Sequence, residues 1–333
     1  MVSPTTGHTF TDNDNVQGEG MRFSRLAGLL ALACLLSAPL ASASDAPTVQ
    51  LSHFQGTTAI PLHPQRVVIL NPVTLDSADA LGIHPLGVPR TAISYPAHLA
   101  RYNSDEYLNA GTLFEPDYEA LSRARPDLIL AGGRALAAYN KLSDIAPTVS
   151  LDIDPNDVLN SLRQRTTQLG EIMGKQAQAS TVLARFDAQV ADLRRQAAQA
   201  GTAMMLMVNG GKLSAYTPHS RFGFIFDVLQ FRPAIALPTA SKHGNAISPE
   251  LIMQANPDWL FVLDRDSAIG SKAGVSARQV LDNPLVRRTT AWKKQQIIWL
   301  DSASLYLAGG IQSYSLMMEQ IRQALSTAGV RPE

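Results

Sequence analysis

Arg134 and Arg265 close two phrases of the same construction. Glu119 to Arg134 reads EALSRARPDLILAGGR and Glu250 to Arg265 reads ELIMQANPDWLFVLDR: in each, Glu, six residues, Pro-Asp, an apolar tetrad, two residues and Arg, with 15 residues from Glu to Arg. The repeat sets one arginine at the same place in each phrase, and a guanidinium is a side chain able to hold an anion through parallel hydrogen bonds. Either arginine alone could equally cap a strand end or pair with a carboxylate, and Asp264 and Asp266 flank Arg265. Glu119 and Glu250 each fall in the first turn of a helical stretch, where negative charge suits the helix dipole.

The elements around the phrases are legible from periodicity. Thr48 to Pro61 alternates and ends in turn residues, which predicts a short hairpin. Arg66 to Leu70 (RVVIL) and Leu128 to Leu130 are continuous apolar runs, the mark of strands covered on both faces. Tyr118 to Arg123 reads as helix, so strand and helix alternate, as in a parallel α/β sheet. The programme restarts with Ala203 to Val208 (AMMLMV), a helix predicted over Phe222 to Gln230, and the second phrase. A further pair repeats in the same order, DALGIHP from Asp79 and DVLQFRP from Asp227. Between the halves, Val182, Leu183, Phe186, Val190 and Leu193 mark one apolar helix face running from Gln176 to Gly201.

The expected fold is therefore α/β, two Rossmann-like lobes with mainly parallel sheets joined by a single long backbone helix that resists large hinge motion. The expected divisions are 44–175 for the N-terminal lobe, 176–201 for the connecting helix and 202–333 for the C-terminal lobe. In open parallel sheets ligands sit beyond the carboxyl ends of the strands, which aims Arg134 and Arg265 into one cleft from opposite sides.

The chain is 333 residues long, 45% apolar and 17% charged, with 28 basic against 28 acidic side chains. Zero formal charge removes any bulk reason to expect a nucleic-acid partner. Met21 to Ala43 has Arg22 and Arg25, an apolar run and Ala-Ser-Ala, the layout of a secretory signal peptide. Residues 1–20 read as a mis-assigned leader, with Met21 as the start and Ser44 opening the mature chain. Cys34, the one cysteine, lies in the apolar run and offers a lipid anchor as the alternative to a soluble periplasmic form. No G-x-G-x-x-G, P-loop or G-x-S-x-G is present, and Asn209-Gly210-Gly211 is too short for a phosphate cradle.

With PQRVVILN, DALGIHPLGV, GTLFEPDYEAL, RPDLILAGGR, SRFGFIFDVLQF, SKHGNAIS, NPDWLFVLDR and LYLAGG in this order, the chain from Thr48 to Leu325 resembles the substrate-binding proteins of iron and cobalamin ABC importers. Within that family it is most similar to binders of ferric catecholate siderophores. The resemblance implies a non-enzymatic, monomeric periplasmic receptor with no intrinsic cofactor, its ligand being Fe(III) carried in a siderophore. It implies that Arg134, Arg221 and Arg265 line the cleft against a polyanion, and that His243 and Tyr306 ligate the iron of a tetradentate siderophore. It also implies that Glu119 and Glu250 dock to an inner-membrane ABC permease dimer. By burial habit alone, His243 would be a loop histidine and Tyr306 a packing residue. Tyr95, Tyr216 and Lys242 are further side chains that could touch the ligand. A receptor for haem or cobalamin is the alternative in the same fold, and a metal chelatase the alternative from the enzymes. A bare-metal receptor is disfavoured because the seven histidines form no cluster.

Overall fold

Strands that are apolar at every position must be covered on both faces, and this requirement organises the chain. The computed structural model describes residues 47–90, 93–238, 243–271 and 274–330. The expected leader (1–20), the signal peptide (21–43) with Cys34, and Lys242 lie outside these residues. Among the described residues no helix is long and apolar enough to cross a membrane.

The expected hairpin pairs β1 (Thr48–His53) with β2 (Gly56–Pro61), His53 opposite Gly56. The first lobe holds β3 (Val67–Ile69), β4 (Gly87–Val88), β5 (Leu108–Asn109), β6 (Leu128–Ala131) and β7 (Thr148–Ser150). These lie in the order β5-β4-β3-β6-β7, every pairing parallel. Helix α1 (Pro72–Ala80) follows β3, α2 (Tyr118–Ala124) precedes β6, and α3 (Val158–Ile172) follows β7. This is the doubly wound order, with its switch point between β3 and β6.

Helix α4 (Gln176–Ala200) bridges the lobes and ends at Gly201, φ 95°, within one residue of the predicted stop. It buries Phe186, Val190, Leu193 and Ala197. The indole Nε1 of Trp259 donates to its last carbonyl, Ala200 O, at 2.9 Å.

The second lobe contains β8 (Thr202–Asn209), β9 (Lys212–Tyr216), β10 (Arg232–Pro233), β11 (Asn245–Ile247), β12 (Trp259–Asp264) and β13 (Ile297–Trp299). The order is β11-β9-β8-β12-β13, with β10 also paired to β8. Strand β8 is parallel to β12 and β10, whereas β9 runs antiparallel to β8 and β11. Asn209-Gly210-Gly211 is thus the turn of a β8–β9 hairpin. Helix α5 (Pro249–Ala255) leads into β12, and α6 (Ile311–Thr327) closes the chain. The helix predicted over Phe222 to Gln230 shrinks to one turn, Phe224–Asp227. Phe222, Phe224, Ile225, Phe226, Val228, Leu229 and Phe231 are all buried and only Asp227 and Gln230 are exposed, so packing rather than helical period shapes this segment.

The repeat has a structural cause at each position. The six residues after each glutamate make a short helix ending in a left-handed residue, Arg125 (φ 46°) and Asn256 (φ 42°). The aspartate of each Pro-Asp then ties down the start of its lobe's first strand. Asp127 accepts from the backbone N–H of Gln65 (2.7 Å) and Arg66 (2.9 Å), and Asp258 from the N–H (2.8 Å) and hydroxyl (3.0 Å) of Thr202. In the second repeated pair, Gly82 and Gln230 share a left-handed backbone, φ 67° and 64°.

A second seam between the lobes was not visible in the sequence. Asp76, on α1, is wholly buried. It accepts from the backbone N–H of Gln312 (2.8 Å) and Ser313 (3.1 Å), from the Ser313 hydroxyl (2.5 Å) and from His98 Nε2 (2.8 Å). The first N–H groups of α6, otherwise unmet, are satisfied by a carboxylate of the other lobe. Asp79 adds contacts to Gln312, Tyr102 and Arg101. Removing one partner of such a buried set strands the rest, so Asp76→Ala should lower the unfolding free energy by about 3 kcal/mol or more; a loss under about 1 kcal/mol in urea denaturation would contradict this account of the seam.

Candidate functional site

Strand ends deliver the site. Beyond β6 the backbone turns through Gly132 (φ 144°) and Gly133 (φ 55°) before Arg134. A side chain at Gly132 would collide with Asp152 and Asn71, so the turn needs glycine there. Asp152, beyond β7, accepts from the Gly133 N–H (2.8 Å), Asn71 Nδ2 (2.7 Å) and the Ser150 hydroxyl (3.0 Å). Three strand ends are thereby laced together under Arg134. Burial raises the Asp152 carboxyl above its ordinary value, against these hydrogen bonds and the charge of Arg165.

In the second lobe Arg265 follows β12 directly. Its Nε donates to the phenol oxygen of Tyr306 at 3.0 Å and its Nη1 to Asn209 Oδ1 at 3.1 Å. The flanking carboxylates are engaged elsewhere. Asp264 accepts from the N–H of Ser267 and Ala277, Asp266 from that of Gly210 at 2.6 Å, and Asp266 stands 3.9 Å from Arg265. Arg221, between β9 and the Phe224 turn, lies over the rings of Phe222 (4.8 Å) and Tyr306 (4.7 Å). Among the described residues neither Arg134 nor Arg221 forms an ion pair with a carboxylate.

Tyr306 sits in a π-helical turn, Ser304–Ala308, closed by Gly309 in the left-handed region. Such turns are uncommon and frequent at functional sites. Burial works to raise its phenol pKa, but the hydrogen bond and charge of Arg265 and the charge of Arg221 outweigh it and hold the group below its ordinary value. Arg134 is lowered by burial and then by the like charges of Arg221 and Arg265. The structure thus brings four of the residues named from the sequence, Arg134, Arg221, Arg265 and Tyr306, into one electrostatic cluster.

A cavity of about 560 Å³, within the range of small-molecule sites, is lined by Arg134, Arg221 and Tyr306; Arg265 is not among its lining residues and is linked to them through its hydrogen bond to Tyr306. The first lobe lines it with Asn71, Val73, Arg134, Asp152 and Ile153, the second with Arg221, Phe222, Tyr306 and Tyr314. His243 is exposed and does not line it; it precedes Gly244, which lies close against the Tyr216 ring. Two other side chains expected at the ligand are in the core. Tyr95 is buried with its hydroxyl donating to Pro89 O (2.9 Å), and Tyr216 is buried edge-on to Phe222, 4.9 Å between centroids. Glu119 and Glu250 are exposed in the first turns of α2 and α5. Glu119 pairs with Arg123 at 3.0 Å, and hydrogen bonds from Ser248 and its own backbone lower Glu250.

Asn71 and Asp152 were not singled out from the sequence, and Asn209 was noted only in Asn209-Gly210-Gly211. The two asparagines had a signal: each stands at the end of the opening apolar run of its lobe, in VVILNP and LMVNGG.

Residues 67–303 match the family described as Periplasmic binding protein. The chain belongs to that family. Among its relatives in this periplasmic binding protein family is the petrobactin-binding protein YclQ of Bacillus subtilis, 35% identical over 80% of this chain and 84% of the relative. The ferric-anguibactin-binding protein FatB of Vibrio anguillarum is 34% identical over 82% and 86%. Of solved structures, YclQ superposes with a TM-score of 0.79, covering 84% of this chain and 99% of that one. The periplasmic catecholate-siderophore binding protein VctP of Vibrio cholerae gives 0.75 at 33% identity, covering 84% and 100%.

Tyrosine ionisation reads the cluster directly. Burial pushes Tyr216 and Tyr314 up to about 12, so Tyr306 should ionise well before them as pH rises. In an ultraviolet tyrosinate titration, Tyr306→Phe should abolish a transition below pH 10, and Arg265→Gln should move it upward. A wild-type curve with no transition below the free phenol's about 10 would contradict the geometry.

Proposed function

We propose that this protein captures a ferric siderophore of the catecholate type in the inter-lobe cavity and passes it to the permease of an inner-membrane ABC importer. The observation that carries the reading is a cavity wall on which Arg134 and Arg221 stand with Tyr306, whose phenol oxygen accepts from Arg265 Nε at 3.0 Å. Like charges brought together away from water cost free energy in the empty protein, and a ferric catecholate polyanion relieves that cost while accepting N–H bonds. A phenol held below its usual pKa is prepared to become the oxygen ligand that hard Fe(III) takes. The ligands for which relatives are named, petrobactin, ferric anguibactin and catecholate siderophores, support the same reading.

In this reading the protein is a receptor without turnover. It acts as a soluble monomer in the periplasm, and the iron is cargo. Tyr306 supplies a direct ligand to a tetradentate siderophore whose iron has open positions. His243 supplies the second, reaching the ligand from the loop ahead of β11 rather than from the cavity wall. Glu119 and Glu250, one per lobe, engage arginines of a two-fold permease. Glu119 then exchanges Arg123 for a permease partner, an inexpensive exchange because both side chains are largely exposed.

Fluorescence quenching with ferric bis- and tris-catecholates tests the site. Arg221→Ala should weaken both classes about tenfold or more, the scale of one lost charge-assisted contact, whereas His243→Ala and Tyr306→Phe should weaken mainly the bis-catecholate. Equal losses for both classes in the latter two variants rule out direct ligation, and tight binding of haem or a hydroxamate in preference to either catecholate rules out the ligand class. Docking is read separately. Charge reversal at Glu119 and Glu250 should depress siderophore uptake by the reconstituted importer and leave the ligand Kd within about twofold, since rim charges act on encounter.

A further inference from the structure

Phe54 lines the cavity and Phe114 stands beside Arg134, one of its lining residues; both phenylalanines are exposed. Phe54 is 56% exposed and Phe114 66%, both among the few large apolar side chains exposed in the described residues. Burying a phenylalanine is normally favourable, so a fold that leaves both out forgoes that stabilisation at the mouth of its own binding cavity. Neither is on a loose segment. Phe54 forms the tip of the β1–β2 hairpin, and its N–H donates to Ser150 O at 3.3 Å beside the end of β7. Phe114 rides a tight turn in which Thr112 N–H donates to Glu115 O (2.9 Å) and the Thr112 hydroxyl oxygen accepts from Phe114 N–H (3.2 Å). Gly111, φ 96°, has no room for a side chain against that turn.

Their placement is also specific. Phe54 lines the cavity, as do Ile153, Pro155 and Val158. Phe114 is not itself a lining residue, but its ring lies 5.9 Å from the guanidinium of Arg134, which is one. The cavity is therefore two-sided in chemistry: cations and a phenol on one wall, aromatic and apolar surface at the rim. A ligand matching both needs anionic oxygens carried on flat aryl groups.

We infer that Phe54 and Phe114 are specificity-determining residues that stack on the aryl rings of the bound siderophore, selecting aryl-oxygen iron complexes over ferric complexes of aliphatic hydroxycarboxylates. This rests on the ferric-siderophore reading of the cavity. The Phe114–Arg134–aryl stack combines cation–π and aromatic contacts, and a citrate shell has no ring to enter it.

The test compares two probes, the ferric complex of free catechol and ferric citrate, by isothermal titration on wild type, Phe54→Ala, Phe114→Ala, the double variant and Phe114→Tyr. Each alanine variant should lose about tenfold in affinity for ferric catechol and the pair about a hundredfold, with ferric citrate held within about twofold. Phe114→Tyr keeps the ring and should keep the affinity. Both sites are exposed, so unchanged circular dichroism is expected in every variant. If wild type binds ferric catechol and the double variant retains the wild-type ratio between the probes, whether by losing both or neither, the rim does not select and the inference is overturned. Wild type binding neither complex overturns the ferric-anion reading of the cavity, and the rim's role with it.

Discussion

A carboxylate taken wholly out of water must be met by donors, and Asp76 is met almost entirely by the other end of the chain. Helix α4 joins the lobes covalently, but it is Asp76 that fixes where α6 begins, and the turn bearing Tyr306 lies immediately before that point. The phenol of the second lobe is thus referenced to a helix of the first. With Trp259 fastening the end of α4 and Asp76 fastening the start of α6, the lobes share two joints. A cavity held this way is organised before its ligand arrives, which spares the ordering cost that weakens association.

The whole chain balances its charges at 28 against 28, so everything cationic about the site comes from placement. Arg265 is steadied by Asn209 and Tyr306, Arg221 by aromatic faces, and Arg134 by a glycine turn that Asp152 holds from beneath. Apart from Asp266, 3.9 Å from Arg265, none of the three has a carboxylate partner among the described residues. Neutral supports keep a guanidinium ordered and still available, where a close carboxylate would have quenched it.

How much of this was legible follows from where the information is stored. The repeated phrases pointed to both lobes, the parallel strands and the place of Arg134 and Arg265 just beyond strand ends, because helix ends, strand starts and buried runs are local patterns written in adjacent residues. The Pro-Asp aspartates show why the phrase had to recur: each lobe needs its first strand pinned. What escaped was long-range or shaped by packing. Asp76 and Ser313 are far apart in sequence, Tyr95 reads like a loop residue until its hydroxyl finds Pro89, and the Phe222 segment lacks any period that could reveal its short turn. The antiparallel β9 was hidden because Asn209-Gly210-Gly211 was weighed as a phosphate loop and not as a hairpin turn. Arg221, His243 and Tyr306 belong to neither repeat and rested on resemblance. The structure gathers the first and last with the repeat arginines and leaves His243 on the exposed approach to β11.

The turn that holds Tyr306 winds one residue wider than an α-helix. With α6 held in place by Asp76, a single-residue deletion there would restore ordinary winding and rotate the side chains before it by about 100° around the axis, carrying the phenol off the arginines. Divergence at this position therefore has a route that substitution does not offer. A change in chain length can take a phenol away from the arginines, or bring one to them, in one step, so the length of this turn matters to the cluster as much as the identity of residue 306.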